Sequence, residues 1–321
     1  MLYPLKFKPI FIEKVWGGKK LQTILNKEIF SEKTGESWEI SAIKNKMSIV
    51  TNGHHSGKNI QELINKYKAD FLGEKVYHNF GNVFPLLIKF IDASDDLSVQ
   101  VHPDDIFAQK VHKQNGKNEM WFVVDADFNS ELILGVKKTL TKSEYIRSVK
   151  KKSLSQILNS EKVNSGDALY IPAGRIHAIK KGVLLAEIQQ SSDLTYRIYD
   201  WDRKGLNGKF RELHNELAAE VVELDAKENY FIKYNKQEKF NKLVSNQYFS
   251  VNYLQLNGLN IKDYSEIDSF VVLMCISGGF SVSYKNEIID INKGETILIP
   301  AVINTIKLNS ENYTELLEVY M

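Results

Sequence analysis

Short apolar or alternating runs, separated by Gly, Asn and Asp, dominate this chain. Val83 to Ile91, Leu97 to Val101, Met120 to Val124, Ala168 to Ile171, Val183 to Ile188, Phe270 to Ile276 and Thr296 to Ile299 each read as strands. Helical spacing is rarer. Ser56 precedes Ile60, Leu63, Ile64 and Tyr67, which recur at i, i+3, i+4 and i+7, and Gly73 follows as a stop. Thr141-Lys142-Ser143-Glu144 has the form of a capping box ahead of Tyr145, Ile146 and Val149. Arg211 to Leu224 is a third helical segment. A mostly β chain with a few peripheral helices predicts a barrel or a sandwich.

A twelve-residue pattern occurs twice. Gly166 is followed by Pro172 and then His177, and Gly294 by Pro300 and then Thr305, at the same spacing. In both copies a Gly-Asp/Glu turn leads into a short apolar strand that a proline ends. The second copy has Val302 in place of Gly174 and Thr305 in place of His177. Two similar β-barrels follow from this, one carrying polar chemistry and one without it. The polar segment Tyr234 to Asn241 reads as the linker, so residues 1–240 and 241–321 are the expected domains.

Polar residues at inward positions locate the chemistry. In Leu97 to Pro103 the alternation puts Leu97, Val99 and Val101 on one face and Ser98, Gln100 and His102 on the other. Polar groups on a buried strand face need partners or a ligand. Lys117 and Glu119 are two apart and share a face if they lie on a strand, and His177 sits just past the Pro172-Ala173-Gly174 turn. Imidazole and carboxylate are good ligands for zinc, manganese or iron. Gln100 offers a neutral oxygen beside His102, Glu119 and His177. A bland reading stands beside each member: a lone strand histidine is usually packed or solvated, and Lys117 and Glu119 fit an exposed cross-strand pair. His54, His55, His78, His112 and His214 are read as ordinary.

Composition narrows the function classes. With 42 Lys+Arg against 40 Asp+Glu the net charge is +2, too balanced for a dedicated nucleic-acid or membrane-surface protein. Cys275 is the only cysteine, which excludes an internal disulfide and suits a reducing cytosol. Met1 to Lys6 lacks the pattern of a signal peptide, and no apolar stretch approaches the ~20 residues of a membrane span. A cytoplasmic location is the expectation.

The motifs together resemble a known family. Gly166-x5-Pro172-x-Gly174-x2-His177 matches the second cupin motif, and Gln100-Val101-His102-Pro103-Asp104-Asp105 with Lys117-x-Glu119 resembles the first. The form is that of class I mannose-6-phosphate isomerases. Glu187 to Arg203 is similar to that family's signature around its active-site arginine, and Val15 to Gly18 and Gly35 to Ser41 to its amino-terminal segments. The similarity runs from about Pro9 to about Leu217. From Asn241 onward the chain resembles only a degenerate second cupin. The whole resembles the short bacterial form, without the helical insertion of longer relatives.

The resemblance implies two jelly-roll barrels, the second degenerate. It implies that Gln100, His102, Glu119 and His177 bind one divalent metal ion, zinc in most relatives, and that Arg197 is the active-site arginine. Lys117 falls on a family lysine and Ser98 on a small hydroxyl residue, both against the substrate. The substrate would be a sugar phosphate, mannose 6-phosphate or fructose 6-phosphate, handled by a monomer or homodimer.

Aldose–ketose isomerisation moves a proton between C2 and C1 through an enediolate, whose negative oxygens a metal ion and a fixed cation stabilise. Arg197 and Lys117 suit that charge or the phosphate. A plain salt bridge from Arg197 to Asp200 or Asp202 is the competing role. Lys117, Glu119 and a water on the metal all remain possible bases. Trp16, Trp38, Trp121 and Trp201 are read as packing first. Another cupin enzyme with the same ligands (a metal-dependent glucose-6-phosphate isomerase or an oxygenase) and a non-catalytic sugar-phosphate sensor are the rival readings.

Overall fold

A computed structural model describes residues 1–227 and 230–321. The first barrel is two facing antiparallel sheets. One has six strands in the order Ala168–Ile171, Glu119–Ala126, Val183–Gln190, Leu86–Ala93, Thr34–Ile40 and Ile10–Glu13. The other has five: Leu158–Lys162, Glu131–Val136, His177–Ile179, Val99–Val101 and Tyr196–Tyr199. Val123, Leu132, Leu134, Ile171, Ile179 and Leu185 fill the space between them. The outer face of the five-stranded sheet, with Val99, Val101 and Ile198, is covered by helices Lys142–Lys150 and Asn215–Val221.

Every strand predicted from the pattern is present within a few residues of its expected ends, and Ala168–Ile171 and Thr296–Ile299 coincide with the prediction. The Thr141–Glu144 capping box also forms. Two helix ends differ. Asn59, not Ser56, caps helix Ile60–Tyr67, because its side chain accepts from Glu62 N while Glu62 bonds back to Asn59 N. The third helix spans only Asn215–Val221, since the Arg211 side chain and the Glu212 and His214 backbone are engaged with neighbouring groups instead.

The second barrel has one large curled sheet, in which Ser250–Asp263 and Thr305–Tyr320 are long enough to serve both of its layers. Leu5–Lys6, from the other end of the chain, pairs with Leu298 and Ile297 and extends this sheet. The two barrels share a core: Phe90, Phe122 and Ile188 from the first pack with Tyr253, Val272 and Leu317 from the second. Tyr234 and Lys236 of the Tyr234–Asn241 segment bond to Gly166 O and Ser165 O of the first barrel, whereas Phe240 and Asn241 already pair with Leu254 and Tyr253 of the second.

Register shows how the second barrel lost its chemistry. Ile171, just before Pro172, pairs with Glu119; Ile299, just before Pro300, pairs with Val271. Buried Val271 therefore occupies the place of Glu119. One interior charge survives. Glu187 lies opposite Trp121 and is paired with Lys89 at 2.8 Å, whereas Glu318 lies opposite Leu273 and is paired with Lys262 at 2.7 Å.

The first residues also hold a buried histidine. His55 packs on Tyr3 and His54, its Nε2 is 3.0 Å from the Tyr67 hydroxyl, and its Nδ1 has no partner among the described residues. Burial, then the nearby charges of His54 and Lys58, lower its pKa to about 4. The unfolded chain takes up this proton near pH 6.5, well before the folded chain does. The stability present above pH 6.5 is therefore lost progressively towards pH 4. Melting temperature should fall across that window, and fall less steeply in His55→Phe; an unchanged slope in the variant would remove His55 from the account.

Candidate metal centre and active site

Strand pairing places most of the predicted site residues. His177 and Arg197 lie opposite Gln100 from either side, so all three side chains emerge on one face of the five-stranded sheet. Ser98 and His102, two residues before and after Gln100, share that face. The facing sheet contributes Glu119, the first residue of its strand, opposite Gln189 and Ile171. Ligand atoms of His102, Glu119 and His177 lie within 4.8 Å of one another, all buried.

The donor set fits a metal ion. His102 Nδ1 donates to Leu194 O at 2.9 Å and His177 Nδ1 to Arg175 O at 2.8 Å. Each backbone carbonyl fixes the tautomer that leaves the Nε2 lone pair facing inward. Burial, followed by the charge of Lys117, pushes His102 down to about 3; burial likewise lowers His177. Both rings are thus neutral at pH 7, the form a metal ion would need. Burial opposes ionisation of Glu119, but the positive charge around it, including the Lys117 ammonium at 3.4 Å, holds its carboxyl well below the usual range. His102 Nε2 and Glu119 Oε1 are 3.1 Å apart, yet among the described residues neither they nor Glu119 Oε2 make a hydrogen bond. Buried polar atoms are rarely left this way without a ligand. The Gln100 amide reaches His177 Nε2 at 3.2 Å, within the same cluster.

A polar web fixes the residues around Glu119. The Asn118 backbone and side-chain nitrogens both donate to Gln190 Oε1, and Asn118 Oδ1 accepts from the Tyr170 hydroxyl and Ala173 N. Behind Glu119 a chain of ion pairs runs from half-buried Lys14 through buried Glu36 and Lys89 to buried Glu187, with Trp38 and Trp121 donating to Glu36 and Glu187. Lys117 Nζ is 3.4 Å from Glu119 Oε1. Asn118, Gln190 and this ion-pair chain escaped the sequence reading. A lone charged residue inside an apolar run, such as Lys89 in Leu86–Ile91, is the signal that marks the ion-pair chain.

Arg197 does not form the alternative salt bridge. Asp200 is taken by Arg211, at 2.5 and 2.6 Å, and by Arg203 at 3.3 Å, while Asp202 approaches Lys152 at 3.9 Å. Arg197 Nε instead donates to Ser98 Oγ at 3.3 Å and Nη1 to Glu212 O at 2.9 Å. Among the described residues Nη2 has no hydrogen-bond partner. Trp16, Trp38 and Trp121 are buried as packing residues, and Trp201 Nε1 donates to Leu97 O. His54, His55 and His78 lie on other elements, and His112 bonds the Tyr196 hydroxyl. His214 is closer to the site than expected: its Nδ1 accepts from Arg197 N at 3.2 Å.

Residues 5–147 match the model for the catalytic domain of type I phosphomannose isomerase, and residues 239–320 match that for the mannose-6-phosphate isomerase cupin domain. The chain is 36% identical to mannose-6-phosphate isomerase ManA of Bacillus subtilis (strain 168), covering 97% of each protein. It is 35% identical to a mannose-6-phosphate isomerase of Streptococcus mutans, over 96% of this chain and 94% of that one. A crystal structure of the Bacillus subtilis mannose 6-phosphate isomerase superposes with a TM-score of 0.89 at 32% identity, covering both chains completely. A variant of the Salmonella typhimurium phosphomannose isomerase shares the fold, with a TM-score of 0.79 at 18% identity over 99% of each chain.

Proposed function

The chain belongs to the type I phosphomannose isomerases, cupin-type enzymes, and from that membership we propose that it interconverts mannose 6-phosphate and fructose 6-phosphate at one divalent metal ion held by Gln100, His102, Glu119 and His177. The observation that supports the ligand set is the convergence of buried His102, Glu119 and His177 from distant parts of the chain, with His102 Nε2 and both Glu119 oxygens lacking a hydrogen-bond partner among the described residues.

A bound divalent ion supplies Lewis acidity toward the C1 and C2 oxygens of the sugar. The chain's own groups do the rest. Arg197, whose Nη2 has no hydrogen-bond partner among the described residues, would stabilise the negative charge that grows as a base takes the C2 proton and returns it to C1, and Ser98 keeps its guanidinium aligned. Lys117 adds a second cation for the enediolate oxygen or the phosphate and is placed to pass a proton to that oxygen. Leu194 O and Arg175 O hold the two imidazoles in their ligating tautomer.

The nitrogen and oxygen donors suit zinc, and the single cysteine suits a reducing cytoplasm. We assign catalysis to residues 1–240 and a metal-free cupin to 241–321, in a monomer or homodimer. The test is turnover of mannose 6-phosphate coupled to detection of fructose 6-phosphate. Dialysis against a chelator should abolish it and added zinc should restore it. A purified, metal-loaded protein without turnover would overturn the proposal.

A further inference from the structure

We infer that Asp200 is a positioning residue: through Arg211 it clamps shut the 200–214 loop, and the closed loop fixes the Arg197 guanidinium. The inference rests on the role given to Arg197 above. Asp200 directly follows the strand Tyr196–Tyr199 and is 5% exposed. Its two carboxylate oxygens accept from Arg211 Nε at 2.6 Å and Nη2 at 2.5 Å, a fork-to-fork contact that sets direction as well as distance. Arg203 Nη2 reaches the same carboxylate at 3.3 Å, and its Nη1 reaches Asp95 at 2.9 Å.

What the clamp holds is the return of the chain to Arg197. His214 N donates to Arg197 O at 2.7 Å, and Arg197 N donates to His214 Nδ1 at 3.2 Å. One residue past Arg211, Glu212 O accepts from Arg197 Nη1 at 2.9 Å. Of the two groups that orient the guanidinium, Ser98 Oγ sits directly before the sheet strand Val99–Val101, whereas Glu212 O belongs to the loop. Between Arg203 and Arg211 the loop is a tight turn with Leu206 and Phe210 exposed, so it has little apolar burial of its own. Opening the Asp200–Arg211 fork frees Glu212 O and leaves Nη1 without its acceptor. A displacement of about 1 Å at a charge-stabilising group costs on the order of 100-fold in rate.

The experiment is a double-mutant cycle on the full-length, metal-loaded enzyme. Asp200→Asn and Arg211→Ala should each lower kcat by roughly 10- to 100-fold with metal content unchanged. Arg211→Lys, which keeps the charge but loses the fork, should recover only part, and Arg203→Ala should cost less than Arg211→Ala. In an Arg197→Ala background neither Asp200→Asn nor Arg211→Ala should lower the residual rate further. Full turnover in Arg211→Ala, or an equal loss with and without Arg197, would overturn the clamp while leaving the role of Arg197 intact. Full turnover in Arg197→Ala would overturn both.

Discussion

His177→Ala is expected to give a folded chain that no longer retains its metal ion and has lost turnover. His177 stands in the middle of the site: it pairs with Gln100 across the sheet, its Nε2 is 3.7 Å from Glu119 Oε2, and its ring packs edge-on against Trp121. Removing an outer partner of a metal ligand costs roughly 10- to 100-fold in affinity or activity, and removing the ligand itself should cost more. The loss has a second readout. Added zinc should raise the melting temperature of the parent enzyme, because the ion binds the folded chain preferentially. It should not raise that of the variant. Metal content by atomic absorption checks the first claim and a zinc titration of melting temperature the second.

Arg197→Ala is expected to do the reverse, keeping the metal and losing the rate. Arg197 bonds to Ser98 Oγ and Glu212 O rather than to any of the four proposed ligands. Its removal takes away a preorganised cation at the developing enediolate, an effect on the order of 10²–10³-fold in kcat. Arg197→Lys should restore little, since an ammonium cannot serve Ser98 and Glu212 while presenting a third nitrogen to the substrate. Metal content equal to the parent, with kcat reduced by that amount, is the expected pair of measurements. Full activity would remove Arg197 from the mechanism.

The parts of this site that were readable in the sequence are those set by local rules. Alternation put Ser98, Gln100 and His102 on one face, and prolines at 103 and 172 marked the strand ends beside them. The strand pattern and the repeated Gly-x5-Pro motif sufficed for two barrels. What was not readable depends on pairing between distant strands. That His177, Gln100 and Arg197 form one row follows from register, which no local pattern specifies. Lys89 and Glu187 read as irregularities in apolar runs until their strands are paired, whereupon they become an ion pair inside the barrel. Sequence alone leaves a salt bridge from Arg197 to Asp200 or Asp202 as the competing role; only the folded loop shows that Arg211 takes Asp200. The helix expected from Arg211 to Leu224 is likewise shortened to Asn215–Val221, its first residues being engaged with Asp200 and Arg197 instead.

The central claim is that four side chains from distant parts of the chain hold one ion. Diffraction from crystals grown with zinc, recorded on either side of the zinc absorption edge, tests it most directly. The account predicts one strong anomalous peak per chain, bounded by His102 Nε2, Glu119, His177 Nε2 and the Gln100 amide. A peak elsewhere with this cluster unoccupied, or a peak here that survives His177→Ala at full height, would contradict it.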